Sequence, residues 1–419
     1  MASIKDCDDV ARETSSYVRP MHAPVCKVLQ MRVIIIGAGA IGCSVAYHLA
    51  MDGATVTIVD PEGLMGGASL ASFAWLNCHD KHPEEYYRLV MRGNAAHREL
   101  GETIGHANWL RLTGTLEWWL AGTEKAQAHA VRLERLRSYG HSMEMLSAEE
   151  VLALEPDVSR VSLEGCEAVY YPTDGGVDTV VYRHVLMREA ERRGATLVEA
   201  GVENLLVSAG RVRGVSLLEG GELEADYVVN CAGRAVNVIG RSLGYALPME
   251  WRPGMTVITD VTRSNVSRIL KAPDIYIKPE GAGRLLLHAK SADEMIDASE
   301  GPDAGQAGAA EIIRLVEAVL PTVREATIAA VRVSVRPYPT DSKPVFGPIT
   351  GVDGYHLAVM HSGISLSPLI GRAAVEEILH GRQSTDFALY RPERFSAGEW
   401  ESSVGLSPST GGEMLPTRI

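Results

Sequence analysis

Long apolar runs, paired cysteines and an excess of positive charge are all missing from this 419-residue chain. No apolar stretch approaches the roughly 18 residues of a membrane-crossing helix, so no span is expected. The six cysteines (Cys7, Cys26, Cys43, Cys78, Cys166 and Cys231) are scattered, without a CxxC pair or a zinc-type spacing. They read as reduced, mostly buried thiols of a cytoplasmic protein, and no metal site is expected. A net charge of −13 argues against a nucleic-acid surface or a polybasic membrane patch. Residues 1–30 carry Asp6, Asp8 and Asp9 and no apolar centre, which argues against a secretory signal. Neither a catalytic triad nor a carboxylate pair is evident, and no internal repeat is visible.

What the chain does have is a hydrophobic fraction of 46%, ordinary for a globular protein, and a length beyond one compact core. Two interleaved domains are expected, with Met31 as the functional start. The most informative segment is Gly37-Ala38-Gly39-Ala40-Ile41-Gly42. It follows an unbroken apolar run at 33–36 and opens into a helix-like stretch at 43–51. A second apolar run at 55–59 closes on Asp60. GxGxxG alone is weak evidence, but set strand–turn–helix–strand with a terminal acid it describes an adenine dinucleotide site. The first glycine makes the tight turn, the second admits a pyrophosphate, and the third lets helix pack on strand. Unpaired N–H groups at the helix N-terminus then meet the phosphates. Asp60 is placed to accept hydrogen bonds from both hydroxyls of an adenosine ribose.

Apolar residues at helical spacing predict amphipathic helices over 84–104 and 124–139. Another helix is expected at 179–193, ended by Gly194. Strands are expected at 195–206, 212–218 and 227–230, the first two joined through Ala209-Gly210. A mixed section follows, with strands near 256–260, 274–278 and 284–289, a helix at 308–319 and a strand at 326–335. The chain closes with a buried strand at 355–360 and a helix over 368–380, Pro368 fitting its first turn. Strand, glycine turn and helix at both ends imply that the termini build one domain around an insertion.

Two further stretches are rich in small residues. Gly66-Gly67-Ala68-Ser69-Leu70-Ala71-Ser72 lets a chain lie along an extended cofactor and donate hydroxyls to its pyrophosphate; the alternative is a flexible loop. Val228-Val229-Asn230-Cys231-Ala232-Gly233 suits close passage of backbone against a cofactor; the alternative is plain core packing. Three more pieces complete the pattern. Asp174-Gly175-Gly176-Val177-Asp178 heads the middle helix, Arg336-Pro337-Tyr338 precedes Pro344-Val345-Phe346-Gly347, and His361-Ser362-Gly363-Ile364 precedes the last helix. In this order the pieces resemble the D-amino-acid-oxidase-like family of FAD-dependent amine oxidoreductases, which includes glycine oxidase and sarcosine oxidase. The likeness runs from about residue 31 to 395.

That resemblance implies an α/β fold. A Rossmann-like FAD-binding domain of the GxGxxG type (31–80, 174–246 and 337–395) is interleaved with an α+β substrate domain on a mixed or antiparallel sheet (81–173 and 247–336). A disordered extension (1–30) and tail (396–419) flank them. FAD is expected to meet Gly37, Gly39, Ala40, Ile41, Gly42, Asp60 and Pro61. Gly67, Ala68, Ser69 and Ser72 would follow its phosphates and ribityl chain. Val202 would contact adenine through its backbone, Cys231, Ala232 and Gly233 would pass close by, and His361, Ser362, Gly363, Ile364 and Ser365 would border the flavin ring. Some members attach FAD through a cysteine near the Arg336 position or a histidine soon after the second strand. Neither is present, so non-covalent FAD is expected, Cys78 and His79 being the nearest residues of those types.

Flavin amine oxidation needs a neutral amine whose α C–H is aimed at the flavin N5; the cofactor performs the redox step and the protein orients. By resemblance Arg336 holds the substrate carboxylate, which its planar fork suits; the alternative is a surface salt bridge. Tyr276 would bond the same carboxylate, or else be an amphipathic strand residue. His288, in Leu285-Leu286-Leu287-His288-Ala289, stands where relatives usually have glycine. It would take a proton from the substrate ammonium or recognise a polar substrate group, or be a satisfied core histidine. Trp75, His79 and Trp251 are further candidates for the pocket wall. Leu286 replaces a lysine that assists oxygen in sarcosine oxidase, and Lys290 is displaced, so the acceptor is oxygen or an electron carrier. The last helix would set its partial positive charge against the reduced flavin. The expected reaction is oxidation of the C–N bond of a small amino acid, D-configured or N-alkylated, to an imine. The alternatives are oxidation of a 2-hydroxy acid on the same fold, an NAD-dependent dehydrogenase, and a redox-inactive module with structural FAD.

Overall fold

The computed structural model of the protein describes residues 30–297 and 305–395. Apart from Gln30, the extension and tail expected at 1–30 and 396–419 lie outside the described residues. Strand Arg32–Ile36 is buried along all but its first residue, because Thr55–Val59 and Tyr227–Asn230 run parallel to it on either side. A central parallel strand covered on both faces reads as a continuous apolar run, which is why 33–36 shows no alternation. Thr196–Val198 extends this sheet on one side. Tyr355–Val359 extends it in parallel on the other, and Val345–Pro348 closes that edge antiparallel. Strands from the two ends of the described chain therefore share one six-stranded sheet. Helix Ala40–Met51 packs against both Thr179–Glu191 and Gly363–Ala374.

A second, eight-stranded sheet runs in the order Ile328–Pro339, Met249–Thr259, Arg284–His288, Ile275–Gly281, Ile269–Ala272, Thr115–Leu120, Cys166–Tyr171 and Glu144–Leu146. Neighbours are antiparallel except Ile269–Ala272 beside Thr115–Leu120. Its apolar residues, among them Leu116, Trp118, Val257, Ile277 and Leu287, form one core with Ile312 and Val316 of helix Gln306–Val319. The architecture is mixed α/β. Among the described residues no helix is long and apolar enough to cross a membrane.

Helix Glu84–Ile104 and strand Tyr227–Asn230 have the expected bounds, and the helix expected at 124–139 is Glu124–Ser138. Three expectations are corrected. The strand at 195–206 is two strands in two sheets: Thr196–Val198, and Val202–Ser208, which pairs with Arg211–Leu217. Ala200-Gly201 interrupts the alternation where the chain changes sheets. The strand at 326–335 runs on to Pro339. It is an edge strand, whose outer side needs no N–H partner, so Pro337 and Pro339 are tolerated there. Arg336 is thus mid-strand, in register with Arg252. The last helix begins at Gly363, not at 368, and puts Pro368 in its interior. Pro368 has no N–H for the Ile364 carbonyl. That carbonyl instead accepts from the Ser367 hydroxyl (2.9 Å) and from His97 Nε2 (2.8 Å).

Candidate active site

The glycine turn is built by contact. Gly37 has φ +104° and donates its N–H to Val59 O at 2.8 Å. A Cβ at Gly37 would lie 2.6 Å from the Cys231 carbonyl oxygen, and one at Gly42 would overlap the Gly37 carbonyl. Larger residues at either place push strand, helix and the Cys231–Ala232 backbone apart. Helix Ala40–Met51 then starts from Gly39 with no side-chain cap, and Ser69 Oγ accepts from Ala40 N at 3.0 Å. Asp60 ends the second strand with both carboxylate oxygens anchored: Ala38 N donates to one and Glu62 N to the other, each at 2.8 Å. Burial raises its pKa, partly offset by those two N–H groups. Each oxygen keeps a further lone pair for a hydroxyl donor.

Two arginines that sequence reasoning missed hold the following loop. Arg183, fully buried on Thr179–Glu191, donates Nη1 to Gly66 O at 3.1 Å. Arg332 donates Nη1 to Leu70 O at 3.2 Å. Between them the helical turn Gly67–Leu70 presents Ser69 to the helix start. Ser72 Oγ caps Ala74 N at 3.0 Å. A charged residue among buried Tyr182, Leu186 and Met187 was the signal for Arg183. Arg234 pairs with Glu62 at 3.8 Å, tying the Gly233 turn to the segment after Asp60 and Pro61. Val202 opens the hairpin just beyond Val198, whose carbonyl accepts from Asp60 N at 3.1 Å.

The C-terminal bend meets this turn. A Cβ at Gly363 would lie 3.2 Å from the Ile41 side chain. Ser362 Oγ bonds the buried Tyr86 hydroxyl at 2.7 Å, and Ser365 is buried one turn on. His361 Nε2 lies 2.9 Å from the Tyr338 hydroxyl, the two rings stacked at 4.0 Å. His361 is exposed as a residue, and the groups packed on its ring, then the fields of Lys81, Arg336 and Arg252, lower its pKa and favour the neutral imidazole. With Gly363 as its first residue, the N-terminal end of the last helix lies at this bend rather than five residues on.

The three residues expected to handle substrate come together on the eight-stranded sheet. Tyr276 and His288 are in register on adjacent strands, ring centroids 5.3 Å apart. Phe73 lies 6.0 Å from Tyr276 and 6.3 Å from His288, and Trp75 6.1 Å from Tyr276, which makes an aromatic wall. Burial, with Glu117 nearby, pushes the Tyr276 phenol up to about 12, so it is a neutral donor. His288 Nδ1 lies 3.0 Å from the Met255 carbonyl. Nδ1 therefore carries the proton and Nε2 the lone pair. Burial lowers the His288 pKa against the opposing pull of Asp293. Arg336 rests over Gly254, where a Cβ would lie 2.5 Å from its Nε. Its Nη2 donates to Pro253 O at 2.6 Å and to Asp293 Oδ2 at 2.5 Å. The salt bridge named as the alternative role is present, half-buried. Asp293 Oδ1 accepts from Met255 N at 2.9 Å, so this carboxylate joins the backbone beside His288 to the arginine.

Behind the wall lies a polar network. Trp75 Nε1 donates to Thr115 Oγ1 (2.9 Å) and Asp174 (3.0 Å), and His79 Nε2 meets Asp174 at 3.1 Å. His79, His141 and Asp174 bring ligand-type atoms within 4.8 Å, in a cluster already joined by the His79–Asp174 bond. Cys78 is buried with its thiol pKa raised by burial. Lys271 pairs with Glu117 at 2.6 Å and Lys278 with Glu280 at 3.1 Å, approaching Tyr276 and Phe73 at 5.6 and 5.9 Å. Trp251 lies in the partly buried rim of another core.

A glycine turn, an uncapped helix start, an anchored strand-end acid and a second helix start meeting them fit a flavin dinucleotide. The chain belongs to the FAD-dependent oxidoreductase family (DAO), which matches residues 32–377. That assignment makes the protein an FAD-dependent oxidoreductase and closes the nicotinamide alternative. The chain is 27% identical over 377 residues to glycine oxidase of Bacillus licheniformis, covering 87% of this chain and 97% of that protein. It is 25% identical over 389 residues to the mitochondrial sarcosine dehydrogenase of Homo sapiens, covering 87% of this chain and 41% of that longer protein. The crystal structure of glycine oxidase from Geobacillus kaustophilus shares the fold, with a TM-score of 0.73 over 88% of this chain and 100% of that one at 22% identity.

Proposed function

We propose that the protein oxidises the C–N bond of a small amino acid, D-configured or N-alkylated, to an imine that water hydrolyses. FAD, held without a covalent bond, supplies the hydride acceptor when bound. The observation that carries this reading is His288: a partly buried imidazole with Nδ1 committed to the Met255 carbonyl and Nε2 left as a base, beside Tyr276 and on the same sheet as Arg336. In this reading Nε2 takes the substrate ammonium proton, leaving the neutral amine that hydride loss requires. Tyr276 donates its hydroxyl to the substrate carboxylate, and the guanidinium of Arg336 supplies the opposing charge. The phenyl and indole faces of Phe73 and Trp75 exclude water around the α-carbon. FAD contacts fall to Gly37–Gly42, Asp60, the Gly67–Ser72 loop, Val202, Cys231–Gly233 and the His361–Ser365 bend. The proposed substrate domain, 81–173 and 247–336, holds the eight-stranded sheet except for 337–339, while its helix Glu84–Ile104 packs on Gly363–Ala374.

The test is an anaerobic screen of D-, L- and N-methyl amino acids, with 2-hydroxy acids alongside, for loss of the oxidised flavin absorbance. Bleaching by an amino acid and not by its hydroxy analogue is expected. Bleaching by hydroxy acids alone overturns the amine assignment. Admission of air then tells oxygen from an electron carrier as acceptor.

A further inference from the structure

We propose that the substrate carries a second anionic group, a carboxylate distal to the amine, received by Lys81 and Lys343. The inference rests on the amino-acid reading above and narrows it. Tyr86, whose hydroxyl bonds Ser362 at 2.7 Å at the bend expected to border the flavin ring, has two ammonium groups over its ring. Lys343 Nζ lies 4.5 Å and Lys81 Nζ 5.7 Å from the ring centroid. Among the described residues neither lysine has a carboxylate within ion-pair distance. Lys343 donates to the His82 carbonyl instead. The acids whose fields reach them are otherwise engaged: Asp80 with Arg132 at 3.8 Å and Asp341 with Arg394 at 2.7 Å.

Two like charges drawn together with no carboxylate in direct contact cost free energy, and in a chain of net charge −13 acidic groups are plentiful. The charge is also close to the site. The field of Lys81 reaches His361 and lowers its pKa, whereas Arg252, 4.4 Å over the Tyr338 ring that stacks on His361, is already paired with Glu250 at 2.5 Å. At Arg336, by contrast, Asp293 already balances part of the guanidinium charge. The unbalanced positive charge thus lies on the Tyr86 side. One substrate carboxylate is met at Arg336; a second is what the lysine pair selects.

The flavin-loaded enzyme is titrated with unreactive acids, the dicarboxylates succinate and glutarate against butyrate and pentanoate, reading perturbation of the flavin absorbance. At the favoured chain length the dicarboxylate is expected to bind roughly tenfold tighter than the monocarboxylate, the size of one partly desolvated ion pair. That ratio should shrink with salt, fall to about one in Lys81→Met/Lys343→Met, and persist in Lys81→Arg/Lys343→Arg. A ratio near one in the parent enzyme, or an unchanged ratio in the methionine variant, overturns the proposal. The two readings fail separately: an enzyme that prefers dicarboxylates while no amine bleaches its flavin loses the amine assignment and keeps the anion subsite.

Discussion

His288 has one ring nitrogen committed and the other open, and burial keeps it neutral where a free imidazole would start to charge. Because its pKa lies below the ordinary 6.5, the base form survives into mildly acid solution. The flavin reduction rate should therefore fall only below about pH 6.5. His288→Gln should remove that limb and slow reduction by roughly 10²–10⁴-fold; an unchanged pH profile would remove the residue from the chemistry. Arg336→Ala should weaken carboxylate ligands by roughly 2–5 kcal/mol, read by flavin titration, and it also leaves Asp293 without its partner. Arg336, Tyr276 and His288 were legible because each breaks an apolar strand or carries a family mark. Asp293, Phe73 and Arg183 were not. Their partners, Arg336, Tyr276 and Gly66, lie tens of residues away, and no local spacing announces such a contact.

At the scale of single elements, the phosphate turn was the most legible because its geometry is local: a strand, a turn of fixed length and a helix. Gly37→Val should yield colourless protein on purification, since its side chain would press on the Cys231 carbonyl; normal flavin content would contradict the packing described. Arg183→Met should reduce flavin retention and cost about 1–3 kcal/mol in denaturant unfolding, by releasing the Gly66 carbonyl inside the fold. The last helix was misread in sequence because Pro368 has the form of a first-turn residue. Its true start at Gly363 depends on His97, from a helix far off in sequence, and on Ser367 covering the exposed carbonyl. Ser367→Ala should cost about 1–2 kcal/mol, since Tyr182 also loses one of its partners. The split at 199–201 escaped because two sheets shared one apolar rhythm, with only Ala200-Gly201 to mark the change.

Over the whole molecule, four buried or partly buried histidines among the described residues set the response to acid. His48, His97, His129 and His141 are held down to about 4, burial being the first cause in each. An unfolded chain takes up these protons near pH 6.5 while the folded chain refuses them, so stability present above pH 6.5 is lost between about 6.5 and 4. Glu117 and Glu377, held to about 2 despite burial by Lys271 and Arg132 and by His356 and Arg391, extend the loss below pH 4.5. The melting temperature should fall steadily from pH 7 to pH 5; a flat profile would mean that these imidazoles charge without unfolding. Both ends of the described chain contribute to one sheet, and this brings the glycine turn to the His361 bend while the other sheet presents Arg336, Tyr276 and His288. The most direct measurement is a crystal structure of the flavin-loaded enzyme with an unreactive carboxylate bound. The pyrophosphate is expected at Gly37–Gly42, the ring against Gly363, and the carboxylate on Tyr276 and Arg336 within reach of His288. A carboxylate seated away from that trio, or a ring remote from Gly363, would contradict it.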